Sequence, residues 1–179
     1  MKSTYIFTAL LSLVGLSAIA QQKCEQLSGY DLCKLSDLKH ILTVKPIIFT
    51  DGFTDGVDSA KLAEWNKIVS SIGAYIAKNH PELNKEFNQL QAISDSMVNT
   101  VKITKNATNR ADKEKVVKSY FQNFKKSPED TFATLRKDLA PGTFSRHKET
   151  RELLVDFVDA LKAATNLLKS DAQSMGLIK

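Results

Sequence analysis

The sequence predicts an all-α, single-domain bundle of about five to six amphipathic helices, with no sheet. Two observations carry this. Apolar residues recur at three- and four-residue steps through most of the chain beyond residue 30, and all four prolines fall between such segments. The nearest approach to a strand, Val44 to Phe49, is interrupted by Pro46.

The amino terminus reads as a signal peptide over residues 1–20. Met1-Lys2 supplies a short positive region, Tyr5 to Ile19 an apolar run, and Ala18-Ile19-Ala20 the small-x-small pattern that a signal peptidase cuts. The run is shorter than the roughly 20 apolar residues a spanning helix needs, and no later segment approaches that length. The expected location is therefore secreted and extracellular, without a membrane span. Removing Lys2 with the signal lowers the formal charge of +5 by one. The remaining bases are interleaved with acids along the chain, which argues for a solvated mixed surface and against a nucleic-acid partner.

Residues 21–45 form a segment bearing both cysteines and the first helix. Cys24 and Cys33 stand nine positions apart, and in an oxidising compartment they are expected to pair with each other. A bridge between two chains and a pair of free thiols are the alternatives; the local bridge leaves a monomer. The first helix is expected from about Asp31 to Thr43, with Leu32, Leu35, Leu38 and Leu42 on one face, and it must end before Pro46.

Residues 46–58 read as an Asp/Gly loop, because Phe49-Thr50-Asp51-Gly52 is followed at once by Phe53-Thr54-Asp55-Gly56. With Gly56 as the sixth residue of a helix-loop-helix calcium loop, Asp51 and Asp55 fit positions one and five. Position three is then Phe53 and position twelve Leu62, where a bidentate Glu is needed. Turn and capping roles for Asp51, Asp55 and Asp58 are expected, with weak cation binding as the alternative.

The helical core is expected over residues 59–179. After Asp58 as N-cap, Leu62, Trp65, Val69, Ile72 and Ile76 follow in 3-4-3-4 steps. Pro81 suits the first position of the next helix, whose inner face carries Leu83, Phe87, Leu90, Met97 and Val101. A polar stretch from Thr104 to Arg110 precedes a fourth helix, Ala111 to Lys126, with Val117, Tyr120, Phe121 and Phe124 on one face. Ser127-Pro128-Glu129-Asp130 combines a hydroxyl cap, a proline at the first helical position and two acids at the positive end of the helix dipole. The short fifth helix stops at Ala140-Pro141-Gly142, and the last runs from about Thr143 to Ser174.

Little in this pattern points to catalysis. His40, His80 and His147 lack the spacing of a metal-ligand pair, so surface or end-capping roles are expected for each and no metal site is assigned. Serine-elbow, phosphate-loop and two-histidine zinc-helix motifs are absent, and nothing selects a pair among the carboxylates. No catalytic residue or cofactor is assigned. Asn106-Ala107-Thr108 is a glycosylation sequon in an expected interhelical stretch.

The stretch from Glu64-Trp65 to Phe87 and the later Lys113 to Leu139 are similar in order and spacing to the helical core of the SXP-type secreted antigens of nematodes, a family associated with cation binding. The fatty-acid-and-retinol-binding proteins of nematodes are similar in architecture only. No functional residue carries over from either.

The expected function is a secreted, non-enzymatic binding protein for a small apolar ligand such as a fatty acid, lined by Trp65, Phe87, Phe121, Phe124 and Phe157. Pockets between bundle helices are common ligand sites, but the same aromatic stripes serve a packed core equally well. The alternative is an extracellular protein-interaction module with weak cation binding. An enzyme is the third reading, and its signature would be a carboxylate pair embedded in a polar cleft.

Overall fold

The computed structural model describes residues 24–44, 59–142 and 145–179. The expected signal peptide and Asp51, Asp55 and Asp58 of the Asp/Gly loop lie outside the described residues. The rest is mostly helical: α1 (Leu35–Val44), α2 (Ser59–Asn79), α3 (Asn84–Asn106), α4 (Arg110–Gln122), α5 (Pro128–Leu139) and α6 (Lys148–Ser174), with a single 3₁₀ turn, Pro81–Leu83, between α2 and α3.

One expectation needs correction: there is a small sheet. Strands β1 (Gln26–Leu27) and β2 (Tyr30–Asp31) pair antiparallel, with Gln26 opposite Asp31 and Leu27 opposite Tyr30. Ser28 and Gly29 between them both have positive φ, at 53° and 87°, the backbone of a two-residue type I′ hairpin turn. The Cys24–Cys33 disulfide closes the base of this hairpin, with Cα atoms 5.5 Å apart. The first helix therefore starts at Leu35 and not at Asp31. Asp31 accepts from the Cys33 amide at 3.0 Å, and its own amide donates to Asp37 Oδ2 at 2.9 Å. That second bond ties the hairpin to the first turn of α1 and holds the Asp37 carboxyl below its usual range.

Local chemistry sets most of the other boundaries. Ser127 Oγ accepts from the Asp130 amide at 3.0 Å with Pro128 in the first turn, so α5 starts where its cap dictates. Asn109 does the same for α4, accepting from the Asp112 amide at 2.9 Å. α3 runs on to Asn106, past the expected start of the polar stretch at Thr104, whose side chain is buried. α4 stops at Gln122, short of Lys126, and α6 begins at Lys148 with His147 as its N-cap, not at Thr143.

Buried residues from all six helices form one hydrophobic cluster. α6 is its centre, packing against α1, α3 and α5, while α3 also packs against α2 and α4. Its inner stripe, Leu154, Phe157, Leu161, Ala164 and Leu168, is buried as the periodicity requires. Lys39 of α1 reaches Glu152 at 2.6 Å, and Arg136 and Glu129 of α5 reach Asp159 at 3.1 Å and Lys169 at 2.9 Å. These surface pairs link α1 and α5 to α6, and solvent screening keeps each of them weak.

Gly73, in the middle of α2, is where a neighbouring ring comes closest. A Cβ there would lie 2.7 Å from Cε1 and 2.9 Å from Cζ of the buried Phe87 ring. On helix propensity alone Gly73→Ala should stabilise by about 1 kcal/mol. The expected outcome is the reverse, a loss of about 1–3 kcal/mol from overpacking, measured by urea unfolding. The double variant Gly73→Ala, Phe87→Leu should recover part of that loss.

Candidate functional site

The five aromatic residues expected to line a ligand site separate into two groups. Trp65, Phe87 and Phe157 meet in the core, with ring centroids 5.8 Å apart for Trp65–Phe157 and 6.3 Å for Phe87–Phe157. All three are buried, Phe157 fully so. The indole Nε1 of Trp65 donates to Ser94 Oγ at 2.7 Å, which satisfies the polar end of an otherwise apolar contact. Phe121 and Phe124 lie elsewhere, packed edge-on against Tyr120 at 5.2 and 5.4 Å, with Phe124 also 5.8 Å from Phe132 of α5. Both are only partly buried.

Clefts between the helices open to the outside. One of about 670 Å³ runs between α3 and α4, lined among others by Thr100, Ile103, Asn106, Val116, Tyr120 and Asn123. Ile103 is 41% exposed and is the exposed large hydrophobic of the described residues. The sequon residue Asn106 is exposed at the end of α3 on this cleft, so a glycan there would stand at its rim. At its floor the Tyr120 hydroxyl bonds Thr165 Oγ1 of α6 at 2.8 Å, and burial pushes the phenol up to about 12.

A second cleft, between α1 and α6, is lined by Lys39, His40, Glu149, Glu152 and Asp156 among others. The hydrogen bond from Lys39 holds the Glu152 carboxyl down, while burial raises that of Asp156. These acids stand at three- and four-residue steps on one helix face, the arrangement of an ordinary solvated stripe with one member ion-paired and another half-covered.

The structure also joins two histidines that spacing along the chain keeps apart. Pro81 disfavours helical backbone at the residue before it, and His80 leaves α2 with φ −146° and ψ 58°. His147 sits at the start of α6 with φ −122° and ψ 40°. Their rings meet edge to face with centroids 4.7 Å apart. Glu82 Oε1 lies 3.6 Å from His80 Nδ1 and 2.9 Å from His147 Nε2. The Nδ1 atoms of both histidines are buried and have no hydrogen-bond partner. His40 lies apart, against Tyr30 at 5.1 Å. The local signal that was available is the His-Pro-Glu triplet; its partner comes from another helix start.

Comparison of the chain with family models, curated proteins and solved structures returns no match. Among the described residues no helix is long and apolar enough to cross a membrane.

Two outcomes test this account of the core. In a double-mutant cycle of Trp65→Phe and Ser94→Ala, followed by denaturant unfolding, the coupling should be about 1 kcal/mol, the worth of one buried hydrogen bond. The second concerns Tyr120. Its folded-state pKa of about 12 lies above the unfolded value near 10, so the native state keeps a proton that the unfolded state loses. Its contribution is fully present below about pH 10 and is lost as pH rises toward 12, by of order 2 kcal/mol. Tyr120→Phe should flatten that part of the alkaline stability curve relative to wild type.

Proposed function

We propose that this protein is a secreted, non-enzymatic binding protein that recognises an extracellular protein partner through its exterior, at the groove between α3 and α4. The observation that carries this is how the aromatic stripes are used. Trp65, Phe87 and Phe157 are in ring contact with one another inside the core, whereas the α3–α4 groove sets an exposed isoleucine among amides and hydroxyls. An apolar anchor ringed by adaptable polar groups is the usual composition of a protein-recognition surface. A fatty acid between the helices would instead have to separate rings that already fill one another's space, at a cost of about 24 cal/mol per Å³ of cavity opened. Secretion through residues 1–20 belongs to the same proposal; a glycan at Asn106, on the rim of the groove, would restrict which partners can reach it. Kinship with the SXP-type antigens is proposed on helix order and spacing.

The test uses the mature, delipidated protein. A photo-crosslinking residue at Asn99 or Asn123, incubated with extracellular fluid from the source tissue, should give a discrete adduct that Ile103→Asp reduces at least about tenfold, the loss expected on burying a charge in place of an anchor. The same probe at exposed Lys137 of α5 should not give that adduct. A fluorescent fatty-acid analogue should show no saturable binding at tens of micromolar and no change in Trp65 emission. Saturable binding with an emission change would return the apolar-ligand reading to first place, and identical adducts from all positions would remove the groove.

A further inference from the structure

From the meeting of His80, Glu82 and His147 at the junction of the 3₁₀ turn and the start of α6, we infer a binding site for a divalent transition metal of the zinc class. It is independent of the α3–α4 groove. Ligand atoms of these three residues all lie within 4.8 Å of one another. A tetrahedral zinc with ligands about 2.0–2.2 Å away sets neighbouring ligands about 3.4 Å apart. The measured 3.6 Å from His80 Nδ1 to Glu82 Oε1 and 2.9 Å from His147 Nε2 to the same oxygen bracket that spacing. The histidine ligand atoms, within 4.8 Å of each other, would close toward the same spacing on binding.

The donor chemistry selects the class of metal. Two imidazoles with one carboxylate suit zinc and its transition-metal neighbours, whereas calcium and magnesium call for an all-oxygen shell. Three protein ligands leave a fourth position for water or a partner's side chain. Two features of the polypeptide favour the arrangement. The backbone on either side is held: His80 donates its amide to Ile76 O at 2.8 Å, and the His147 carbonyl accepts from the Arg151 amide at 2.9 Å. His80 Nδ1 is also buried without a hydrogen-bond partner, an unfavourable state for a polar group that coordination would relieve. The side chains of His80 and His147 keep 24% and 32% exposure, so the cluster lies near the surface.

The experiment titrates Zn²⁺ and Co²⁺ into chelator-treated, full-length mature protein carrying no histidine tag. One Zn²⁺ per chain should bind, and Co²⁺ should develop the visible absorption bands of a four-coordinate site. In imidazole-resolved NMR the signals of His80 and His147 should move with Zn²⁺, while that of His40 serves as the internal reference and stays in place; Ca²⁺ should move none of them. His80→Asn and His147→Asn, each confirmed to be folded by circular dichroism, should weaken Zn²⁺ binding at least about tenfold, since even losing an outer partner of a ligand costs 10–100-fold. Glu82→Gln should weaken it with both histidines intact. Absence of saturable Zn²⁺ binding, or affinity unchanged in the folded double variant His147→Asn, Glu82→Gln, would overturn the site.

Discussion

The core is built around one contact, Phe157 meeting Trp65 at a tilt and Phe87 in a stack, which brings α2, α3 and α6 to a common point. α6 is the long helix against which α1, α3 and α5 pack, and Phe157 lies fully buried near its middle. The tryptophan can occupy that position because its one polar atom has a partner in Ser94; without it the indole N–H would carry the penalty of an unsatisfied buried donor. Gly73 completes the fit, since the edge of Phe87 occupies the space a side chain would need. The same aromatic surface that a cavity would use is thus consumed in holding three helices together.

With the core filled in this way, the proposed recognition groove and the histidine cluster lie on the surface and at the helix ends. The α3–α4 groove lies beside the short connection between the two helices, with Ile103 of α3 left exposed on it. The histidine cluster has a related origin. His80 and His147 are each held in non-helical backbone at the start of a helical segment, where side chains can turn toward one another without disturbing a packed stripe. Glu82, in the 3₁₀ turn that Pro81 begins, reaches both.

The hairpin at the amino terminus shows how a local cross-link and a local turn can override helix periodicity. Leu32 has the spacing of a helix position and is buried like one, yet it lies before α1. Ser28-Gly29 and the Cys24–Cys33 bridge close a loop too short to carry a recognisable strand pattern, and the Asp31–Asp37 contact joins it to the helix behind it. The apolar stripe continues across the break because the hairpin lies against the same core.

The amino-acid sequence by itself determined the helical class, the inner stripes of α2, α3 and α6, the Ser127-Pro128 start of α5 and the pairing of the two cysteines. Each of these follows from residues three, four or nine positions apart, within reach of local sterics, capping and chain entropy. Only the tertiary structure decided that Trp65, Phe87 and Phe157 share one contact while Phe121 and Phe124 belong to another. It alone placed His80 beside His147. Periodicity specifies which face of a helix is buried but not which other face it meets. That choice is made by the fit of side chains between helices, a property of the assembled core and not of any one segment.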